Sequence, residues 1–157
     1  MMLEIIIMKK GERIQVGDFI LECLWPEALV QGRDNAESLV LLAQYKTRED
    51  EQIDILLMGD AEKDELASIL ASYELKDLEI LKLGHHGSKN SITSDELSAL
   101  SPQIAVISCG YQNRYGHPDE AIVDMLLEHE SEIVRTDIMG DICFSFKHDE
   151  IAIKTRK

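Results

Sequence analysis

The pattern of apolar residues changes near residue 60, and this change limits the folds that the chain can adopt. Upstream of it, short apolar runs are separated by turns, and Gly17-Asp18 lies between two of them where a hairpin turn is expected. Downstream, amphipathic helical segments alternate with apolar strands, and further strands close the chain. This order predicts an α/β fold of stacked helix and sheet layers rather than a pure β-sandwich or a helical bundle.

The helix predictions depend on apolar spacing and on capping residues. Leu66, Ile69 and Tyr73 recur at helical spacing after an acidic first turn. Thr93 opens a Thr-Ser-Asp-Glu segment that is typical of an N-capped start, and Pro118 precedes a third amphipathic segment. The predicted helices are 61–75, 93–100 and 119–130, and the predicted strands are 3–8, 13–16, 19–25, 38–45, 53–58, 78–83, 104–108, 133–135, 141–146 and 151–154.

Length and charge limit the classes of function. The 157 residues contain no internal repeat, so 1–157 is expected to form a single domain. The formal net charge of −14 argues against a surface that holds nucleic acid by bulk electrostatics. A nucleic-acid substrate stays possible because metal ions or another segment could supply positive charge. No apolar run approaches the length of a membrane span, so we expect a soluble chain without direct membrane contact.

The chain has three widely spaced cysteines, Cys23, Cys109 and Cys143, and no CxxC motif. Their odd number makes a disulfide framework improbable. Each lies in an apolar stretch, which favours buried free thiols. Cys109 is also a weaker candidate for a catalytic nucleophile, because it closes a strand beside a polar loop.

Three polar clusters directly follow apolar strands. Gly59-Asp60 follows one strand, the Gly-His-His-Gly-Ser segment 84–88 follows the next, and the polar loop 109–118 follows a third. Because the ends of neighbouring strands converge at one edge of a sheet, layered folds usually place their sites there. We therefore expect these clusters to lie close together.

The residue types in these clusters favour metal chemistry. Asp60 is a short carboxylate held after a strand, and the imidazoles of His85 and His86 are typical zinc ligands. Ser88 and nearby backbone amides could orient a phosphate or a ligand histidine. Two alternatives stay open at this point: Asp60 as the N-cap of the following helix, and His117 as an ordinary loop histidine.

Six segments occur in a family-specific order. They are Asn35-x-x-Ser38-Leu-Val-Leu, Leu56-Leu-Met-Gly-Asp60, Leu81-Lys-Leu-Gly-His85-His86-Gly-Ser88-Lys-x-Ser91, Ala105-Val-Ile-Ser-x-Gly110, Asn113-Arg-Tyr-Gly-His117-Pro and Arg135-Thr-Asp137-x-x-Gly140-x-Ile142. Together they resemble the metallo-β-lactamase-fold domain of ComEC-type DNA-internalisation competence proteins. The Gly-His-His-Gly-Ser and Asn-Arg-Tyr-Gly-His-Pro segments are the most specific of them.

This resemblance implies an αββα hydrolase fold that binds two metal ions, usually zinc. It implies that Asp60 is the bridging carboxylate and that one of the histidine pair, His86 in preference to His85, is the last metal ligand. His85 would face the substrate phosphate or the metal-bound water, and His117, with Asn113, would line the same site. The reaction would be attack by a metal-activated hydroxide on a phosphodiester of the DNA strand that is not imported.

Three further residues, Ser88, Lys89 and Arg114, are candidates for binding the substrate. The alternative for Lys89 and Arg114, as for Lys82 and Arg135, is a scatter of surface charges.

The chain departs from this family at its first motif. His-x-His-x-Asp-His is absent, and no histidine precedes Asp60. The chain thus corresponds to the C-terminal half of the domain, and we expect the missing N-terminal half to complete the site. The parent would lie in the cell membrane with this domain extracytoplasmic. A sheet face left open in the half-domain would also favour a homodimer.

Two other functions stay open. The first is a catalytically degenerate binding or assembly module on the same fold. The second is a hydrolase of cell-wall phosphodiesters or other small phosphoesters.

The missing motif predicts weak zinc binding by this chain alone. Catalytic zinc usually has three protein ligands, and Asp60 with one or two histidines falls short of two complete sites. Calorimetric titration with zinc should therefore give a dissociation constant weaker than about micromolar, with no useful hydrolysis. Micromolar or tighter binding without a partner protein would contradict this expectation.

Overall fold

The computed structural model describes residues 7–28, 35–47, 49, 51–147 and 150–156. The strand predicted over 3–8 lies mostly outside these residues. The described part has a seven-stranded sheet, a separate two-stranded hairpin and four α-helices. The predicted α/β class is thereby confirmed.

The seven strands of the main sheet follow one another in chain order across the sheet. They are β1 (Arg13–Val16), β2 (Phe19–Trp25), β3 (Val40–Lys46), β4 (Gln52–Leu57), β5 (Ile80–Lys82), β6 (Ile104–Ile107) and β7 (Glu132–Arg135). The first four are antiparallel neighbours, and β4 to β7 pair in parallel. The hairpin predicted at Gly17-Asp18 joins β1 to β2, and Gly17 has the positive φ of 62° that such a turn needs.

The parallel strands are joined by helices, because a parallel pair needs a long crossover connection. Three of them, α1 (Lys63–Leu70), α2 (Ser94–Leu100) and α3 (Glu120–Glu128), lie in these connections. Thr93 and Asp119 cap α2 and α3 by accepting backbone N–H groups, as predicted for Thr93. A short fourth helix, α4 (Thr136–Met139), follows β7 and was not predicted.

The prediction for the first helix was wrong at its C-terminal end. The helix ends at Leu70 rather than at residue 75. The Ser72 amide bonds to the carbonyl of Ile69, three residues back, so the last turn tightens and the helix stops. Tyr73 still packs against the core. The helical spacing of Tyr73 from Leu66 and Ile69 therefore predicted correctly that it faces the core, but not that the helix extends to it.

Alternate residues of the central strands face two different layers. Leu56, Leu81 and Ala105 pack towards the helices. Ile55, Ile80 and Ile104 face the opposite side. That side is covered in part by the hairpin of β8 (Asp141–Lys147) and β9 (Glu150–Arg156), which packs Phe144, Phe146, Ile151 and Ile153 against the sheet.

The same alternation decides which cysteines are buried. All three thiols are free. Cys23 is buried as predicted, but Cys143 is exposed, and the prediction for it was wrong. Ile142 and Phe144 face the sheet from β8, so Cys143 between them points outward.

An apolar groove of about 400 Å³ lies between the hairpin and the main sheet. Phe19, Tyr45 and Phe146 form an aromatic cluster beside it, with ring centroids 5.2–5.5 Å apart. The hairpin therefore covers part of the face through which the sequence predicted a homodimer, and dimerisation stays a prediction. No helix among the described residues has the length and apolarity that crossing a bilayer requires.

Truncation of a central strand should test the position of the core. Leu81 is fully buried in β5 against the helices. Leu81→Ala should lower the free energy of unfolding by about 2–5 kcal/mol, because the cavity cannot close. Urea denaturation measures this change. Leu127→Ala, at a side chain that is 60% exposed on α3, should change the free energy by less than about 0.5 kcal/mol. Equal effects of the two substitutions would contradict this assignment of the core.

Candidate functional site

The three predicted polar clusters meet at the carboxyl-terminal edge of β4, β5 and β6. The His86 Nε2 atom lies 3.8 Å from Asp60 Oδ1. The ring centroids of His85 and His117 are 5.7 Å apart. The predicted convergence of these side chains is confirmed, while their roles stay predictions.

The turn after β4 holds Asp60 in place. Gly59 has a positive φ of 58°, and a side chain there would come within 3.0 Å of the Leu39 carbonyl. The Asp60 amide donates to Ser38 Oγ at 3.2 Å. Glu62, not Asp60, is the N-cap of α1, so the alternative of Asp60 as a helix cap is wrong. The Asp60 side chain remains 47% exposed at the edge of the sheet.

The backbone around the histidine pair is unusual. His85 and His86 have positive φ values of 41° and 57°. Left-handed backbone at non-glycine residues costs of order 1–3 kcal/mol per residue, so the surroundings must enforce it. The Gly87 amide donates to the Gly84 carbonyl, and the Ser88 amide donates to that of His85. The result is a tight turn that presents the two imidazoles in different directions.

The imidazole of His86 is held from the side of β6. Its Nδ1 lies 2.6 Å from the backbone carbonyl of Ser108. A carbonyl can only accept, so Nδ1 carries the proton, and in the neutral ring Nε2 keeps its lone pair. That lone-pair nitrogen is the one nearest Asp60.

The imidazole of His85 is held from the opposite side by Glu62. His85 Nδ1 lies 2.7 Å from Glu62 Oε1, and the amide nitrogen of Asn35 lies 3.3 Å from the same ring nitrogen. Ser88 Oγ donates to the same carboxylate oxygen at 3.0 Å. Sequence reasoning missed Glu62, because an acid in the first turn of a helix is usually explained by the helix dipole.

Ser88, a predicted substrate-binding residue, is only 5% exposed. Its hydroxyl donates to Glu62 and accepts the Asn90 amide at 3.3 Å. This placement is compatible with the second role that the sequence allowed it, the orientation of a histidine, because Ser88 Oγ and His85 Nδ1 contact the same oxygen of Glu62. Lys89 follows it on the exposed surface.

The loop 109–118 is organised by Asn113. Its side-chain amide donates to the carbonyls of Gly110 and His117 at 3.0 and 2.6 Å, and its Oδ1 accepts the His117 amide at 3.0 Å. The side chain predicted to be catalytic thus has both ends engaged by the backbone that carries His117. Arg114 is exposed, with its guanidinium 4.7 Å from the centre of the Tyr115 ring.

Two cavities adjoin this loop. The first, of about 440 Å³, is lined by His86, Ser108, Cys109, Gly110, Asn113, Tyr115 and His117. The second, of about 530 Å³, shares Asn113 and His117 and extends to Arg135 and Asp137. Both volumes lie within the range of small-molecule sites. The first contains three of the predicted site residues.

The chemistry of Cys109 argues against a nucleophilic thiol. Burial and a hydrogen bond to the Asp137 carboxylate raise the pKa of Cys109 to about 11. The thiol is therefore protonated at neutral pH, and only the thiolate is an effective nucleophile. The hypothesis of a catalytic cysteine at this position is not supported.

Two of the cations considered as surface charges have defined partners. Arg135 donates to both carboxylate oxygens of Asp137, at 3.1 and 2.7 Å, and this hydrogen bonding lowers the pKa of Asp137. Lys82 Nζ donates to the carbonyls of Gly59 and Leu83, at 3.3 and 3.1 Å. Burial lowers the pKa of Lys82, although the nearby Asp60 opposes this shift.

The side chains that could hold a metal ion can be read from the structure. Across the described ranges, no group of three or more His, Cys, Asp or Glu side chains is placed to hold a metal ion. Asp60 and His86 supply two donor atoms that face each other.

The comparison with known proteins identifies the relatives of this chain. No protein-family model matches it. It is 33% identical over 141 residues to ComE operon protein 3 of Bacillus subtilis, an alignment that covers 90% of this chain and 18% of that protein. It is also 31% identical over 134 residues to Recombination protein 2 of Haemophilus influenzae, covering 85% and 16% of the two chains. Its homologues are ComEC-type competence proteins.

A third homologue, Competence protein ComA of Neisseria gonorrhoeae, is 38% identical over 92 residues, which are 57% of this chain and 13% of that protein. The resemblance to ComEC-type proteins is thereby confirmed. This chain spans less than a fifth of the length of these relatives. The metallo-β-lactamase fold of the matching region stays a prediction.

The turn after β4 passes close to the turn after β5 at Gly84, and a substitution there tests this contact. A Cβ atom there would lie 1.8 Å from the Ala61 carbonyl oxygen, which is backbone and cannot rotate away. Gly84→Ala should therefore lower the free energy of unfolding by about 1–3 kcal/mol. Urea denaturation measures it. Gly110→Ala is the matched control, since the nearest atom to its added Cβ lies at 3.8 Å. If both variants unfold alike, the two turns do not pack in this way.

Proposed function

We propose that this chain carries part of a metal-dependent phosphodiesterase site that acts on DNA during its uptake into the cell. The observation that supports this most directly is the arrangement of His86. Its Nδ1 is bound to the Ser108 carbonyl, and its Nε2 faces Asp60 Oδ1 at 3.8 Å.

The donor set of Asp60 and His86 fits zinc. Metal-binding histidines typically donate their second ring N–H to a carbonyl or a carboxylate, which fixes the tautomer and orients the ring. His86 has this arrangement before any metal is added. Zinc binds carboxylate oxygen and imidazole nitrogen at about 2.0–2.2 Å, so donors 3.8 Å apart are close enough to share one ion. The further ligands of a catalytic zinc would come from outside the described residues.

Zinc, when bound, would supply Lewis-acid polarisation of a phosphate oxygen. In our proposal Asp60 is the bridging carboxylate and His86 is the last ligand. His85, with its Nδ1–H directed at Glu62, would face the phosphate. Glu62 Oε1, 2.7 Å from His85 Nδ1, would hold this imidazole in its orientation towards the phosphate.

The remaining predicted residues take supporting roles in this proposal. Asn113 positions His117 through the loop backbone rather than reacting itself. Ser88 acts through Glu62. Lys89 and Arg114 are exposed cations that would contact the DNA substrate.

The names of the relatives, which refer to competence and recombination, support DNA as the substrate in this proposal. The net charge of −14 opposes the approach of a polyanion, so the metal and the local cations must provide the attraction. We further propose that the complete protein lies in the cell membrane with this domain outside the cytoplasm. There it would combine with the N-terminal half of a metallo-β-lactamase-type domain.

A second candidate function is a binding or assembly module that has lost catalysis. It is favoured by the shortage of ligands, because the described residues contain no group of three that could hold a metal. In that case the fold would serve as a scaffold.

Substitution of the two proposed ligands distinguishes these functions. In the complete protein that contains this segment, Asp60→Ala and His86→Ala should each reduce zinc-dependent DNA hydrolysis by at least about a hundredfold. His129→Ala is the matched control, because this histidine lies at the end of α3 and bonds to Met125 and Ser98. It should leave hydrolysis unchanged. A complete protein that binds DNA but hydrolyses none would support the module instead.

A further inference from the structure

We propose that Tyr115, with the guanidinium of Arg114 over its ring, forms a stacking platform that holds an unpaired nucleobase beside His117. This inference rests on the proposed function for the position of the phosphate. The platform adds a second point of contact with the substrate, and this contact favours binding of single strands over duplexes.

The loop that carries His117 exposes two aromatic side chains. Tyr111 is 76% exposed and Tyr115 is 66% exposed, although burial of aromatic rings is among the strongest stabilising contributions in proteins. Tyr115 also lines the cavity of about 440 Å³ that contains His86 and His117. Exposed apolar surface of this kind, at the border of a mostly apolar cavity that also holds two imidazoles, is typical of a ligand contact.

Hydrogen bonds within the loop and to the histidine turn fix the backbone that carries this ring. Asn113 binds the loop backbone on both sides, and Gly116 takes the positive φ of 71° that lets the chain return. The Asp119 amide donates to the Gly87 carbonyl at 2.9 Å, which ties the end of the loop to the histidine turn. A preorganised aromatic surface loses little entropy when a ligand stacks on it.

The platform combines two kinds of planar group that stack on nucleobases, a guanidinium and an aromatic ring. Arg114 lies with its guanidinium carbon 4.7 Å from the Tyr115 ring centre, and its Nη2 donates to the Tyr115 hydroxyl. The Tyr115 and His117 rings are within 15° of parallel, with centroids 6.0 Å apart. Planar guanidinium and aromatic groups both stack on bases. Every base has such a face, so binding should tolerate any sequence.

This geometry requires a base that is not stacked within a duplex. In double-stranded DNA both faces of a base are covered by its neighbours, and exposing one costs unstacking energy. A single strand presents its bases freely. The platform therefore favours single-stranded over double-stranded substrate.

The cation on the ring also disfavours a different ligand. Exposed tyrosines can bind quaternary ammonium groups such as choline, which occurs in some cell-wall phosphodiesters. Arg114 already interacts with the Tyr115 ring as a cation. A second cation would be repelled there, whereas a neutral base would not.

A fluorescence titration tests the platform on this chain. The probe is a short single-stranded oligonucleotide that contains one 2-aminopurine, whose emission falls when it stacks. The titration is made with EDTA, so it does not depend on metal. Tyr115→Ala should weaken binding by roughly fivefold to a hundredfold, and Tyr115→Phe should retain it, because stacking needs the ring and not the hydroxyl. Leu127→Ala removes an equally exposed apolar side chain outside the loop and should have no effect.

Competition and salt provide independent measurements. An abasic oligonucleotide of equal length should compete at least about fivefold less well, because it has phosphates but no base. Raising the salt concentration should not weaken binding, since screening reduces the repulsion between the phosphates and a chain of charge −14. Binding through phosphates alone would instead fall with salt.

Undetectable binding of the oligonucleotide, or equal affinity of the wild-type and Tyr115→Ala chains for it, would overturn the platform. Equal competition from the abasic strand would also overturn it, as would displacement of the oligonucleotide by phosphocholine. The unfolding curve of Tyr115→Ala should match that of the wild type, because the exposed ring contributes little to the core. The test is separable from the proposed function. Loss of hydrolysis in Asp60→Ala concerns the metal site, and base-dependent binding in EDTA concerns the platform.

Discussion

The register of the parallel strands β4, β5 and β6 aligns Ile55 with Ile80 and Ile80 with Ile104. This register decides at which point along the strand direction each site residue lies. Leu57, Lys82 and Val106 continue the same alignment, Leu57 opposite Lys82 and Lys82 opposite Val106. Asp60, His85 and Cys109 each follow three residues later in the chain. β4 and β5 end at this level and β6 ends one residue beyond it, so the three turns leave the sheet at the same edge.

The histidine turn depends on this alignment more than on its own sequence. Gly84 passes so close to the Ala61 carbonyl that a side chain would not fit, and the His85 amide donates to the Gly59 carbonyl at 3.2 Å. Two successive histidines with positive φ are costly in isolation. Hydrogen bonds from the neighbouring turns offset that cost. The imidazoles are separated as a result, with His86 directed to Asp60 and His85 directed to Glu62.

The acidic character of the chain and a DNA substrate are compatible if the attractive contacts are local. A net charge of −14 gives no general attraction for phosphates. A cation between Asp60 and His86 would bind a phosphate at one point, and the Tyr115 platform would bind a base at another. Such a surface would hold a strand weakly and release it readily.

The sequence by itself determined the order of most elements and most of the residues that meet at the candidate site. Hydrophobic periodicity predicted the hairpin at Gly17-Asp18 and the order of helices and strands along the chain. It could do so because an element that buries one face has apolar residues at a regular spacing. The strand-end rule predicted that Asp60, His86 and His117 would lie near one another. Only the tertiary structure decided where α1 ends, that Cys143 faces outward, and that Glu62 rather than Asp60 caps the helix. The end of α1 depends on the bond from the Ser72 amide to the Ile69 carbonyl, and the exposure of Cys143 depends on the packing of Ile142 and Phe144 against the sheet. The partner of each imidazole, the Ser108 carbonyl for His86 and Glu62 for His85, depends on which atoms of distant segments lie within hydrogen-bonding reach.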